Sequence, residues 1–143
     1  MRQTIRKVLT YSILTLTTTF CSKNEQLYDS SLLDGDWGMY TIRAEGGDWK
    51  DRNPDDPRFQ LSFFDGDSVI DGGKKRSYHA NEDAGLLYFY TDYGEFIDTQ
   101  KHEVLRLDES ELWLKYFPQD NYDPIAEMKY RKILHNSNGK SFK

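Results

Sequence analysis

Cysteine is almost missing: the 143 residues contain one, Cys21. An intrachain disulfide and a cysteine-based zinc cluster are thereby excluded. Positive charge is short as well, with 19 Lys and Arg against 24 Asp and Glu, a net charge of −5. A duplex nucleic-acid binder relying on a basic footprint is not expected from that balance. Long apolar runs are missing too. The longest, Val8 to Phe20, mixes apolar and hydroxyl residues and falls short of the roughly 20 residues a membrane-spanning helix needs. No window holds an amphipathic helix longer than about two turns. The chain is rich in aromatics, with 3 Trp, 10 Tyr and 8 Phe, and its length suits one domain.

Residues 1 to 20 carry Arg2, Arg6 and Lys7, no acid, and then the short apolar run. A basic head, an apolar stretch and a cut site are the parts of a secretory signal peptide. The lone cysteine sits where the run ends, which resembles a bacterial lipoprotein signal, although Phe20 stands where that signal has a small residue. The polar segment after it, Ser22-Lys23-Asn24-Glu25-Gln26, resembles the tether of Bacteroidetes-type lipoproteins. The resemblance implies cleavage before Cys21, lipid on Cys21, and a place in the bacterial cell envelope, on the periplasmic or the surface face of the outer membrane. Losing three basic residues and no acid takes the mature chain to −8. An acidic body is repelled by an anionic leaflet, so acyl chains must supply the anchor.

From Leu33 onward the apolar residues come in short runs cut by Gly, Pro, Asp and Asn. Phe59, Leu61 and Phe63 alternate with polar neighbours, and Leu112, Leu114 and Tyr116 share one face with Trp113 on the other. That period of two is the mark of a sheet packed on one side. Asp65-Gly66 and Asp71-Gly72-Gly73 are hairpin turn signals. The expected fold is all-β, a small antiparallel up-and-down barrel of about eight strands. The domain divides into a signal peptide (1–20), a polar tether (21–32), a barrel (33–134) and a flexible tail (135–143). The longest connection, Glu45 to Pro57, is long enough to flap over a barrel mouth.

Leu33-Asp34-Gly35-Asp36-Trp37 resembles the Leu-x-Gly-x-Trp opening of lipocalins and small lipocalin-like domains. The Glu111 to Tyr116 stretch is similar to the penultimate strand of bacterial lipocalin-like lipoproteins. The resemblance implies that Gly35 and Trp37 close the barrel floor, with a basic residue near the end of the last strand packed on the indole. The candidates for that basic residue are Arg131 and Lys132, with Arg131 placed among the floor residues. It implies architecture more than activity.

Chemical motifs are few. Asp48, Asp51, Asn53, Asp55 and Asp56 fail the EF-hand pattern, because Asp56 occupies its glycine position and Ser62 its bidentate glutamate. His79, His102 and His135 lack ligand spacing, and no Gly-x-Ser-x-Gly elbow occurs. No metal, cofactor or catalytic residue is expected, and the protein is read as non-enzymatic. Lys74-Lys75-Arg76 reads as a solvated hairpin tip. Six aromatics, Phe59, Phe63, Tyr88, Tyr90, Trp113 and Tyr116, are the candidates for binding a small hydrophobic or amphiphilic ligand, since Tyr and Trp join apolar area to a polar tip. Pointing inward they would line a barrel pocket, or simply fill it. Pointing outward they would dock an envelope protein or a glycan.

Overall fold

The computed structural model describes residues 26–119 and 123–135. Nine strands form one antiparallel sheet: β1 (Gly35–Ala44), β2 (Lys50–Asp51), β3 (Gln60–Phe64), β4 (Ser68–Asp71), β5 (Lys74–Asn81), β6 (Leu86–Asp92), β7 (Ile97–Leu107), β8 (Glu111–Phe117) and β9 (Ala126–Lys132). From β3 to β9 each strand pairs with the next, β1 pairs with β3, and β9 returns to β1. Eight strands thus close an up-and-down barrel and remove its free edges. The two-residue β2 pairs with β1 at Thr41 and Ile42, above the point where β3 diverges.

Alternation decides which side chains enter the barrel. Leu61 and Phe63, Leu87 and Phe89, and Leu112 and Leu114 are buried, while their neighbours are half-buried or exposed. Phe63 meets Tyr78 edge to face at 5.1 Å and Phe89 at 5.9 Å, so aromatic contacts hold the centre of the core. The turns form where the sequence signals them. Asp65 and Gly66 both have positive φ, +58° and +73°, within the three-residue loop between the paired Phe64 and Ser68.

One end of the barrel is a closed floor. Trp37 is fully buried and donates its indole N–H to the Leu33 carbonyl at 2.7 Å. The cation over it is Lys132, not Arg131: Lys132 Nζ stands 4.8 Å from the ring and donates to the Leu32 carbonyl at 3.1 Å. The reason is strand parity. In β9, Tyr130 and Lys132 share one face, and the exposed Arg131 lies on the other. Gly35, with φ of +111°, is the position a side chain would contest, since an added Cβ would meet Lys132 Cε at 3.1 Å.

The segment before β1 is also part of the domain. Tyr28 is buried and donates to the Leu86 carbonyl at 2.7 Å. Gln26 Nε2 and the Ser30 amide each reach a Glu82 carboxylate oxygen at 2.7 Å, and the Leu27 amide donates to the Glu82 carbonyl. Residues 26–32, the described part of the expected polar tether, therefore dock on the floor, because Tyr28 completes the core. The proposed signal, Cys21 and the tail beyond His135 lie outside the described residues.

The Glu45–Pro57 connection does not flap over the mouth. It runs back beside β1, where Arg52 N–H donates to the Tyr40 carbonyl at 2.9 Å and Gln60 Nε2 donates to the Pro54 carbonyl at 2.9 Å. Pro54 is buried against Gly38, and a Cβ on Gly38 would come within 2.4 Å of the Pro54 oxygen. Absence of a side chain at Gly38 is what admits the loop.

Candidate functional site

The other end of the barrel, opposite the floor, is polar. There β4 ends, β5 and β7 begin, and β8 passes into the β9 connection. A cavity of about 310 Å³ lies at this mouth. Its apolar wall is made by Met39, Leu61, Phe89 and Met128, and its polar groups are Asp71, Gln100, His102, Tyr116, Asp123 and Tyr130. Each strand reaches the site by the same alternation that builds the core. Asp71 follows Val69 in β4, and Gln100 and His102 precede Val104 in β7. Tyr116 follows Leu114 in β8.

Behind the cavity wall sits an ion cluster. The Arg76 side chain is 9% exposed and is shared by two carboxylates. Its Nε lies 3.2 Å from Asp71 Oδ2, and its Nη1 lies 3.7 Å from Asp98 Oδ2. Nη1 donates to Thr91 Oγ1 at 2.8 Å. The Nε contact with Asp71 is an ion pair without hydrogen-bond geometry. Burial pushes the Asp71 carboxyl above the usual range, outweighing the pull of Arg76 and Lys74.

His102 is 4% exposed, with its ring 4.7 Å from Phe89 and 5.4 Å from Tyr116. Burial pulls its pKa down to about 4, against the opposing effect of backbone carbonyls of Leu87 and Gln100. The ring is therefore neutral at physiological pH. Its Nδ1 has no hydrogen-bond partner, an arrangement that costs about 1–3 kcal/mol in a sealed interior. Tyr130 donates its phenol to Met128 Sδ at 3.4 Å, and burial raises its pKa.

Of the six aromatic candidates only Tyr116 lines the cavity. Phe63 is core. Phe59 packs beside the core, with the Arg52 and Arg58 guanidinium groups near its ring at 5.4 and 5.6 Å. Tyr88 and Tyr90 alternate with the buried Leu87 and Phe89, so they face outward and stack on each other at 6.4 Å. Trp113 faces outward as well. Lys129 Nζ bridges it to Trp49, at 3.9 Å from Trp113 and 4.4 Å from Trp49. Arg43 and Arg106 extend that ladder at its two ends, over Trp49 and Trp113 respectively.

The residues that make the mouth polar were missed by motif reading. Arg76 is not a solvated tip residue: Lys74 and Lys75 are exposed, but Arg76 shares the inward parity of Tyr78. The available signal was a charged or amide side chain at an inward position of an alternating strand, as at Asp71, Arg76, Gln100 and His102. No group of three or more His, Cys, Asp or Glu able to hold a metal occurs among the described residues.

No protein-family model, curated protein or solved structure matches the chain.

Proposed function

We propose that this protein is a lipid-anchored, lipocalin-like barrel of the bacterial envelope that binds a small amphiphilic ligand in its mouth and performs no reaction on it. The observation that carries the reading is the cavity itself. The barrel is filled by its own side chains from the floor to Phe89, then opens into about 310 Å³ lined by aromatic rings and polar groups, among them His102 with its partnerless Nδ1. That volume is at the low end for small-molecule pockets, and its mixed lining fits a molecule with a polar head and an apolar body.

The anchor is read from Cys21 and the signal before it. Cys21 precedes Gln26 by five residues, a reach of at most about 18 Å, and Gln26 is held on Glu82 at the floor end. A lipid on Cys21 would therefore turn the floor toward the membrane and the mouth away from it. Native mass spectrometry of the full chain released from its membrane tests both parts. An acylated Cys21 and a bound small molecule are expected, and an unmodified cysteine with an empty barrel would contradict the reading.

A second reading, an interaction module for a partner protein or glycan, is favoured by one observation. Tyr93, Phe96 and Ile97, at the β6–β7 turn on the mouth rim, are 54%, 62% and 65% exposed, with the two rings stacked at 5.0 Å. Crosslinking in intact envelopes would capture a stable partner at this turn if docking is the function. A carrier needs none.

A further inference from the structure

The charges at the mouth point to a particular kind of ligand. We infer that the site takes an organic cation, an amine-headed amphiphile whose ammonium group sits against Asp71 and whose apolar body lies along Phe89, Tyr116 and Met128. This rests on the ligand-binding reading of the mouth and specifies its chemistry.

Three observations converge on a cation. The described lining holds two carboxylates, Asp71 and Asp123, and neither lysine nor arginine. The cation behind the wall, Arg76, is divided between Asp71 and Asp98 and makes no hydrogen bond to Asp71 through Nε. The lining itself is therefore acidic, with the balancing Arg76 and Lys74 outside it, so a cation entering the cavity meets carboxylates first.

The third observation is independent of the acids. His102 is 96% buried, lines the cavity, and leaves Nδ1 without a partner. An uncharged imidazole with its proton on Nε2 presents Nδ1 as an acceptor. An ammonium brings three donors and no acceptor, which suits a carboxylate and an imidazole nitrogen together. A carboxylate ligand would bring acceptors to acceptors and charge to like charge. The rings add a favourable surface, since a desolvated cation on an aromatic face gains up to ~2 kcal/mol. A cavity of about 310 Å³ admits a small aralkyl amine. A metal ion is disfavoured for want of a third ligand group among the described residues.

Calorimetric titration of the full chain with 2-phenylethylamine, 2-phenylethanol and phenylacetate tests the inference, the three probes sharing one ring and differing in charge. The amine is expected to bind at least tenfold more tightly than either of the others. Asp71→Asn is expected to remove that margin while leaving the alcohol unchanged, and Asp123→Asn to reduce it severalfold. Should Asp71→Asn fail to fold, carboxyl NMR of the unmodified chain gives the same answer, because amine binding must lower the Asp71 pKa. Equal binding of amine and phenylacetate, or an amine affinity indifferent to Asp71, would overturn the cation inference and leave the pocket standing. Binding of none of the three would overturn the inference together with the pocket reading.

Discussion

Trp37 and Lys132 show how much of the floor depends on two side chains. The indole fills the barrel end and satisfies its N–H on Leu33, and the ammonium stands over the ring while holding the Leu32 carbonyl. Trp37→Ala is expected to cost about 3–5 kcal/mol in urea unfolding, because the neighbours cannot collapse into an indole-sized void. Lys132→Ala should destabilise measurably, and Arg131→Ala, removing an exposed side chain, should stay within about 0.5 kcal/mol. The opposite order would return the cation to Arg131. His102 yields a pH signature. Its folded pKa of about 4 lies below the ordinary 6.5, so between those values the unfolded chain takes up a proton that the folded one refuses. Stability from this residue is complete above pH 6.5 and drains away as pH falls toward 4. Comparing His102→Phe with the unmodified chain at pH 7 and pH 4.5 should reveal a loss of about 2–3 kcal/mol that the variant does not share. Asp71 acts with the opposite sign, being raised in the fold, but it is present in both proteins and cancels. Identical pH dependence would mean that His102 is hydrated rather than buried.

At the scale of elements, strands with one apolar face were legible and strands entering the polar mouth were not. Leu61 and Phe63 in β3 and Leu112 and Leu114 in β8 alternate visibly, and those strands lie close to where the pattern puts them. The first half of β7 reads as a break because Asp98, Thr99, Gln100 and Lys101 are all polar. Yet β7 runs unbroken from Ile97 to Leu107, with Gln100 facing the cavity and Asp98 paired to Arg76. An interior that is itself polar erases the contrast on which period-two reading depends. The same effect hid Arg76 in an apparent basic turn. The loop from Glu45 to Pro57 failed for another reason: its position is set by tertiary contacts, Pro54 on Gly38 and Trp49 on Lys129. Lys129→Ala, which removes the cation shared by Trp49 and Trp113, is expected to speed hydrogen exchange at Lys50 and Asp51 while leaving the exchange at Leu61 and Phe63 unchanged. Uniform acceleration would assign Lys129 to global stability instead.

At the scale of the molecule, the two ends of the barrel differ in character. The floor seals with Trp37, Tyr28 and Lys132 and receives residues 26–32. The mouth leaves an open volume where two carboxylates, a neutral imidazole and several rings converge. The aromatics, 21 in the sequence, suggested pocket and plug alike as a composition; those among the described residues divide between core, outer wall and mouth, with Tyr116 the one expected candidate at the cavity. The account stands or falls on whether that mouth binds. An isotope-edited NMR titration of the full chain with 2-phenylethylamine measures this directly. Saturable shifts confined to Gln100, His102, Tyr116 and Met128 are predicted, with Tyr88, Tyr90 and Trp113 silent. Shifts on those outer-wall rings with an unmoved His102 would contradict it.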